Sequence, residues 1–215
     1  MDNNASIFEQ IVQKRKSFRA FDTQNHISDE VVERSLERAI LSPNSSNMQL
    51  WEFYVIKSEE NKLKATEICY NQPGAKTASQ LVVFVARPDK WKERQKIHID
   101  NLNANFENRD SPGASGAYHY YENMIEDFYG KDAQNTEVIT QKSVALAAQT
   151  FMLSITSEGF DSLPMEGFDE NKMKTLLNLP KEAHISMTIA VGKGLQEGIY
   201  GPRFRIPFEE VVFEL

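Results

Sequence analysis

The stretch Leu81-Val82-Val83-Phe84-Val85 contains only apolar residues and is the strongest strand candidate in the chain. Successive side chains of a strand point to opposite faces of its sheet. A strand that is apolar at every position therefore needs cover on both faces. We predict that this strand lies in the middle of a sheet that is covered on both sides.

A second strongly apolar segment covers residues 137–158, which we predict to form one helix. Its apolar residues fall on nearly the whole circumference, which is typical of a helix that is buried on all sides. They are Val144, Ala145, Leu146, Ala147, Ala148, Phe151, Met152, Leu153 and Ile155. In one modest domain, such a helix is either central or part of a subunit interface.

The remaining periodicity predicts helices and strands that do not alternate strictly along the chain. Further helices are expected at about residues 28–41, 59–70 and 169–178, with two more within 91–130, and strands at 51–56 and 184–191. Residues 208–215 predict an edge strand, which would invite pairing with a second chain. This order of elements favours an α+β fold over a doubly wound sheet.

The chain has no internal repeat or linker, and its 215 residues fit a single domain that spans residues 1–215. Residues 91–130 are polar and aromatic, and glycine and proline interrupt them. Such a segment suits a lid or a substrate cap, and a plain surface excursion explains it equally well.

The net charge of −7 argues against general binding of nucleic acid or anionic membranes. The single cysteine, Cys69, excludes an intramolecular disulfide and fits a reducing compartment. The first residues lack the basic-then-apolar pattern of a signal peptide. The longest aliphatic run, residues 81–86, is too short to span a bilayer. We therefore expect a cytoplasmic protein.

Several familiar catalytic motifs are missing from the sequence. It contains no Cys-x-x-Cys pair, no His-Glu-x-x-His and no phosphate-binding loop that ends in Lys-Ser/Thr, so no metal site is predicted. Residues 192–198 resemble a dinucleotide fingerprint, but the third glycine comes one residue late. Pro202 also follows where a helix should run, which argues against a dinucleotide site.

Two short segments alternate arginine with other residues in this acidic chain. Arg15 and Arg19 flank Ser17, and Arg203 and Arg205 stand near the other end of the chain. If residues 15–21 are extended, Arg15, Ser17 and Arg19 point to one side. The two segments would then suit one phosphate, which arginine binds bidentately. The alternative is solvated surface charge.

Two loops carry further candidate groups. Asn44, Ser45 and Asn47 offer amide and hydroxyl groups suited to a polar ring edge or a ribityl chain, or they are simply turn residues. Residues 159–168 include Pro164 and Gly167, so we predict a rigid, turn-rich connection whose amides need partners. An ordinary helix–helix loop is the alternative.

Taken together, these segments resemble the FMN-dependent nitroreductase family over nearly the full length of the chain. The resemblance rests on the order and spacing of residues 15–21, 42–51, 71–72, 159–168 and 202–205. It implies an α+β, three-layer α-β-α sandwich with a mostly antiparallel central sheet and helices on both faces. It also implies a homodimer in which C-terminal strands are exchanged and two FMN sites lie at the interface.

The resemblance assigns most of the polar candidates to the cofactor. By this comparison, the phosphate, ribityl chain and pyrimidine side of FMN contact Arg15, Lys16, Ser17 and Arg19. The residues that close on the phosphate are Arg203 and Arg205. The residues contributed by the other subunit are Pro43, Asn44, Ser45 and Asn47.

The isoalloxazine ring is assigned to a second group of residues. Asn71 would hydrogen-bond the pyrimidine edge, and Pro164 and Met165 would lie against the ring. The backbone amides of Glu166 and Gly167 would face its N5 and O4 edge, where a donor stabilises added electron density.

The reaction implied by the resemblance is a two-electron, ping-pong transfer from NADH or NADPH to an acceptor. Nitroaromatics, quinones, flavins and activated alkenes are the expected acceptors, and no protein acid or base is required. The candidates for capping the acceptor pocket are Tyr118, Tyr120, Tyr121 and Phe128. The alternatives are a dehalogenating or flavin-cleaving relative and a flavin-binding module without turnover.

Two positions depart from the family pattern. Leu50 stands where the family's loop usually has a proline before the tryptophan, which removes some rigidity at the start of the strand. Pro73 and Gly74 occupy the neighbourhood in which many members place a lysine beside the flavin. Whether Lys76 substitutes for that lysine is left open by the sequence.

Overall fold

The computed structural model describes residues 3–106 and 110–215 and contains a four-stranded antiparallel sheet. The strands are β1 (Trp51–Ile56), β2 (Gln80–Ala86), β3 (Asp161–Met165) and β4 (His184–Gly192), in the spatial order β1-β2-β4-β3. Every residue of β2 is buried, so the predicted position of this strand in the middle of a covered sheet is confirmed.

Nine α-helices surround the sheet in the described part of the chain. They are α1 (Asn3–Lys14), α2 (Asp29–Ala39), α3 (Glu59–Ile68), α4 (Pro73–Thr77), α5 (Trp91–Asn105), α6 (Pro112–His119), α7 (Ile125–Gly130), α8 (Ala133–Ser157) and α9 (Glu170–Leu176). Asp169 caps α9 as expected, because its side chain accepts a hydrogen bond from the Lys172 amide at 3.0 Å.

The two faces of the sheet are covered by different helices, which confirms the predicted three-layer α+β sandwich. On one face, Leu81, Val83 and Val85 pack with residues of α3, α4 and α9. On the other face, Val82 and Phe84 pack with residues of α2 and α8. The alternation of side chains along β2 therefore supplies both halves of the core.

The long helix α8 is not buried on all sides, and this expectation is wrong for the single chain. Val144, Phe151 and Ile155 face the core, but Ala145 is exposed and Leu146 is 48% exposed. The sheet and α2 cover only part of the circumference. The exposed apolar stripe keeps open the alternative that α8 takes part in a subunit interface.

Residues 91–130, which we call the excursion, contain more helix than predicted. The excursion contains α5 and then, from Pro112 to Gly130, an unbroken helical stretch made of α6, a π-helical turn at Tyr120–Met124 and α7. Residues 107–109, which fall between α5 and α6 in the sequence, lie outside the described residues.

The prediction of a turn-rich connection over residues 159–168 is wrong for residues 161–165, which form the edge strand β3. Proline has no N–H with which to donate a hydrogen bond to a neighbouring strand. It is therefore tolerated on an edge strand, on the side that faces away from the sheet. Pro164 accordingly lies opposite Ile189 on the last strand of the sheet. Residues 159–160, in which Gly159 has φ 85°, and residues 166–168 keep the predicted loop character.

The chain ends do not pack into the core. Residues 208–215, predicted as an edge strand, contain only a short 3-10 helix at Phe208–Glu210, and the structure describes no strand there. Phe204 and Phe213 are each 76% exposed, and α1 has no buried residue. Strand exchange between two copies therefore stays a prediction. Within the described ranges, no helix is long and apolar enough to cross a bilayer.

Candidate functional site

The segment that follows α1 is held at the free edge of the sheet. Ser17 forms a parallel bridge with Ser162 of β3, and the Phe18 amide donates to the Ser162 carbonyl at 3.2 Å. The Arg19 amide donates to the carbonyl of Gly198 at 2.9 Å. A Cβ atom at Gly198 would lie 2.6 Å from the Ala20 nitrogen, so only glycine permits this approach.

This arrangement opens a cationic cavity of about 260 Å³, which we call the arginine cavity. Its lining brings both predicted arginine segments together: Arg15, Lys16, Ser17, Arg19 and residues 199–205. Phe18 points away and packs against the core, as the alternation of residues 15–21 predicted. The two ends of the sequence thus meet at one site.

The charges in this cavity repel one another. Burial lowers the pKa of Arg15, and the positive charges of Arg203 and Arg205 lower it further. None of the described residues that line the cavity is acidic. Arginine stays protonated in proteins, so the repulsion remains until an anion enters. The charges that line the cavity would therefore favour an anion, although the protein as a whole is acidic.

Arg203 and Arg205 are held differently. Arg203 caps the C-terminal end of α1: its guanidinium donates to the carbonyl of Gln13 at 2.9 Å, to that of Val12 at 3.5 Å and to that of Arg15. Among the described residues, Arg205 donates only to the carbonyl of its neighbour Phe204, at 2.6 Å. Arg205 therefore keeps more donors free for an anion than Arg203 does.

A second cavity of about 420 Å³ adjoins the first and shares four of its residues, Arg15, Ser17, Arg203 and Arg205. Pro164, Met152 and Gln149 add a less polar wall. Neither Met152 nor Gln149, both on α8, was predicted to line a binding site, although Gln149 is a polar residue in a largely apolar helix. Cationic and apolar surfaces are therefore contiguous here.

Of the two adjacent residues assigned to the flat ring, only Pro164 faces this second cavity. Met165 is 3% exposed and packs in the core with Leu163, because alternate side chains of a strand face opposite ways. The Met165 side chain therefore lines neither cavity, and a contact between Met165 and a flat ring stays a prediction; Met152 lines the second cavity instead.

The end of β3 presents free backbone donors. Glu166 and Gly167 are exposed, and within the described chain neither amide donates a hydrogen bond. The Gly167 carbonyl accepts from Gln72 Nε2 at 2.6 Å, which ties residues 71–72 to this end of the strand. Asn71 is exposed beside it with φ 53°. The contact between Gln72 and Gly167 thus brings residues 71–72 and 166–167 to one end of β3, and their assignment to a flat ring stays a prediction.

The helix α4 explains the departure at Pro73 and Gly74. Gly74 is buried, and a Cβ atom there would lie 2.3 Å from Leu163 Cδ2 and 3.8 Å from the Arg19 Cα. A larger residue at this position would displace the strand beside the site. Lys76 is exposed on α4 and lines neither cavity.

The loop of residues 44–47 lies elsewhere in the same chain and lines neither of these cavities. Asn44 is engaged within the loop region, since Oδ1 accepts from the Gln49 amide at 2.8 Å and Nδ2 donates to the Ser42 carbonyl at 3.3 Å. Ser45 is half-buried, Asn47 is exposed with its Oδ1 accepting from Gln49 Nε2 at 3.3 Å, and Pro43 precedes them. This loop meets the arginine cavity only if it comes from a second copy.

The aromatic residues of the excursion are divided between its interior and this loop. Tyr118 is 3% exposed and its hydroxyl donates to Asn103, so its ring faces the interior of the excursion. Tyr120 and Tyr121 both contact Ser46. Phe128 is 46% exposed. Of the four capping candidates, Tyr118 is thus poorly placed to touch an acceptor.

Comparison with known proteins gives consistent matches. The model of the nitroreductase family matches residues 12–193. Protein DrgA of Synechocystis sp. is 30% identical over 186 residues, which cover 86% of this chain and 83% of DrgA. An oxygen-insensitive NAD(P)H nitroreductase of Enterobacter cloacae is 28% identical, with 94% of this chain and 96% of that protein covered.

Solved structures share the fold. The ydfN protein of Bacillus subtilis superposes with a TM-score of 0.89 at 21% identity and covers 98% of this chain and 100% of its own. A protein of Exiguobacterium sibiricum, solved in complex with FMN, gives a TM-score of 0.84 at 24% identity and covers 97% of both chains. The four-stranded sheet and its helical layers are therefore shared with these proteins.

Gly74→Ala should lower the free energy of unfolding by about 1–3 kcal/mol, because the added methyl group forces Leu163 to move within a packed core. Chemical denaturation measures this difference. Gly116→Ala is the matched control: a Cβ atom there meets no atom within 4 Å, and alanine favours the helix by about 0.5–1 kcal/mol. Equal effects of the two substitutions would contradict the close packing of α4 on β3.

Proposed function

Since the chain belongs to the nitroreductase family, we propose that it is an FMN-dependent oxidoreductase that transfers two electrons from NADH or NADPH to a small acceptor. The observation that carries the proposal is the junction of two cavities, one cationic and one walled by Pro164 and Met152. The curated relative of Enterobacter cloacae is named as an NAD(P)H nitroreductase, which supports the same activity.

The residues present fit FMN. Its phosphate carries a negative charge, and the arginine cavity offers Arg15 and Arg205 with donors to spare. Ser17 and Arg19 lie on the same wall and suit the ribityl chain and the pyrimidine side. A flat ring suits the surface beside Pro164, where water has little to bind. We assign Asn71 to the pyrimidine edge.

When bound, FMN supplies the carrier of two electrons between nicotinamide and acceptor. The chain's own contribution would be electrostatic: the amides of Glu166 and Gly167, which have no partner in the described chain, would offer donors to the N5 and O4 edge of a bound ring. No residue of the chain has to act as acid or base in this proposal. NADH or NADPH and the electron acceptor would occupy the same pocket one after the other, so the kinetics would be ping-pong.

The complete site requires two chains. Ser45 and Asn47 lie away from the arginine cavity of their own chain. The C-terminal residues and α1 expose large apolar side chains, including Phe8 at 60% and Phe213 at 76%. Apolar surface of this extent marks a protein interface. We therefore propose a homodimer in which each copy lends its 44–47 loop to the other's site and its tail to the other's sheet.

Nitroaromatics, quinones and related compounds are the proposed acceptors, and a cytoplasmic location stays a prediction. The purified protein should be yellow, or should become so with added FMN, and anaerobic mixing with NADH or NADPH should bleach the flavin. A panel of acceptors should then restore its absorbance. A protein that binds no FMN would refute the proposal, and bound flavin that neither nucleotide bleaches would identify a binding module without turnover.

Arg205→Ala should weaken FMN binding by about 10- to 150-fold, because a hydrogen bond to a charged group contributes about 1.5–3 kcal/mol. Titration of the FMN-free protein, followed by flavin fluorescence, measures the dissociation constant. Lys64→Ala, an exposed cation on α3, is the control and should leave the constant unchanged. An unchanged constant in Arg205→Ala would show that the phosphate lies elsewhere.

The loop after β3 should act through its backbone. Glu166→Gln keeps the amide and should change the rate of flavin reduction by less than about threefold, since the side chain is exposed and makes no hydrogen bond in the described chain. Glu166→Pro removes the N–H and should slow the rate by about 10²- to 10³-fold. Stopped-flow absorbance measures both. Similar rates in the two variants would contradict a role for this amide.

Deletion of residues 211–215 should weaken dimer assembly, because it removes exposed apolar side chains that include Val211 at 55% and Val212 at 45%. Sedimentation velocity over a range of concentrations measures the shift towards monomer. If the shortened protein sediments as the same dimer at every concentration, the tails do not hold the two copies together.

A further inference from the structure

The 44–47 loop has an unusual backbone that other parts of the chain must hold. Ser46 and Asn47 both have φ 53°, and Gln49 has φ 50°, although none of them is glycine. This left-handed region is unfavourable for residues other than glycine, and such residues persist only where their surroundings fix them. The loop therefore depends on restraints from outside itself.

The restraints come from the excursion. The hydroxyl of Tyr129 donates to the Ser45 carbonyl at 3.1 Å, and the hydroxyl of Tyr121 donates to the Ser46 carbonyl at 3.2 Å. Two consecutive carbonyls of the strained loop are thus bound by two tyrosines of one distant segment. The Tyr120 hydroxyl adds a bond to the Ser46 hydroxyl.

Both tyrosines are themselves firmly seated. Tyr129 is 3% exposed and packs with Met48 and Ile125 in a small apolar core. The ring of Tyr121 stacks on His98, with ring centroids 4.7 Å apart and an angle of 14° between the planes. Tyr121 lies in the π-helical turn at Tyr120–Met124, and such turns are frequent at functional sites, whereas Tyr129 lies on α7.

We propose that Tyr121 and Tyr129 are positioning residues, which clamp the 44–47 loop in the shape that presents Ser45 and Asn47 to the FMN of the other subunit. This inference rests on the proposed function. The excursion then serves the partner's cofactor site through the loop, and the hydroxyls of these tyrosines are engaged by the loop rather than free for an acceptor.

The clamp has a thermodynamic consequence. A loop that is held in its binding shape loses no affinity to alternative conformations, whereas a released loop reduces apparent affinity by the fraction that is still competent. Tyr121→Phe and Tyr129→Phe each delete one hydroxyl and keep the ring in its packing. Each should raise the dissociation constant of FMN by about 3- to 10-fold.

The clamp itself is testable without cofactor. In the FMN-free protein, amides of residues 45–49 should exchange hydrogen faster in both variants, because the amides of Ser45, Met48 and Gln49 are bonded only while the loop keeps its shape. Peptides from β2 should exchange unchanged, which separates loop release from general destabilisation. Exchange is followed by mass spectrometry.

Tyr54→Phe is the matched control, since it deletes a hydroxyl that donates to Glu52 at 2.9 Å, outside the loop and the excursion. It should alter neither loop exchange nor FMN affinity. Tyr121 is less buried than Tyr129, so Tyr121→Phe keeps the test valid if Tyr129→Phe folds poorly.

Unchanged exchange at residues 45–49 in Tyr121→Phe would overturn the clamp. Faster exchange with unchanged FMN affinity would overturn the positioning role. If the unsubstituted protein binds no FMN, the proposed function fails, and the positioning role fails with it. Faster loop exchange together with weaker FMN binding, in both variants and not in Tyr54→Phe, is the expected result.

Discussion

Burial of β2 on both faces is the constraint from which the rest of the molecule is built. Its odd-numbered side chains fill one core and its even-numbered side chains fill the other, so helices must cover both faces of the sheet. Once both faces are covered, only the sheet edges remain accessible to the chain and to ligands. Edge strand β3 is where the terminal segments arrive and where both cavities open.

The site at that edge holds several positively charged side chains close together. The positive charges of Arg203 and Arg205 disfavour that of Arg15, and the carbonyls at the end of α1 accept hydrogen bonds from Arg203. An anion bound among these residues would relieve the repulsion, so its binding would be coupled to local stability. An acidic protein of net charge −7 would thus concentrate its attraction for anions in one small place.

Local patterns in the sequence predicted the parts of the structure that local physics decides. The apolar run of β2, the Asp169 cap and the alternation of Arg15, Ser17 and Arg19 all appear as expected. The resemblance to a family then predicted that both arginine segments serve one site.

Long-range pairing accounts for what the sequence did not reveal. Strand β3 contains a proline and few β-branched residues, and it exists because β4 lies beside it. Met152 and Gln149 reach the site only through the packing of α8.

The two chain segments that form this site are also far apart in the sequence, so they are synthesised at different times. Ser17 leaves the ribosome early, yet its partner Ser162 follows 145 residues later, and Arg203 still later seals α1. The contacts that hold the end of α1 and the segment after it can therefore form only when nearly the whole chain has been synthesised.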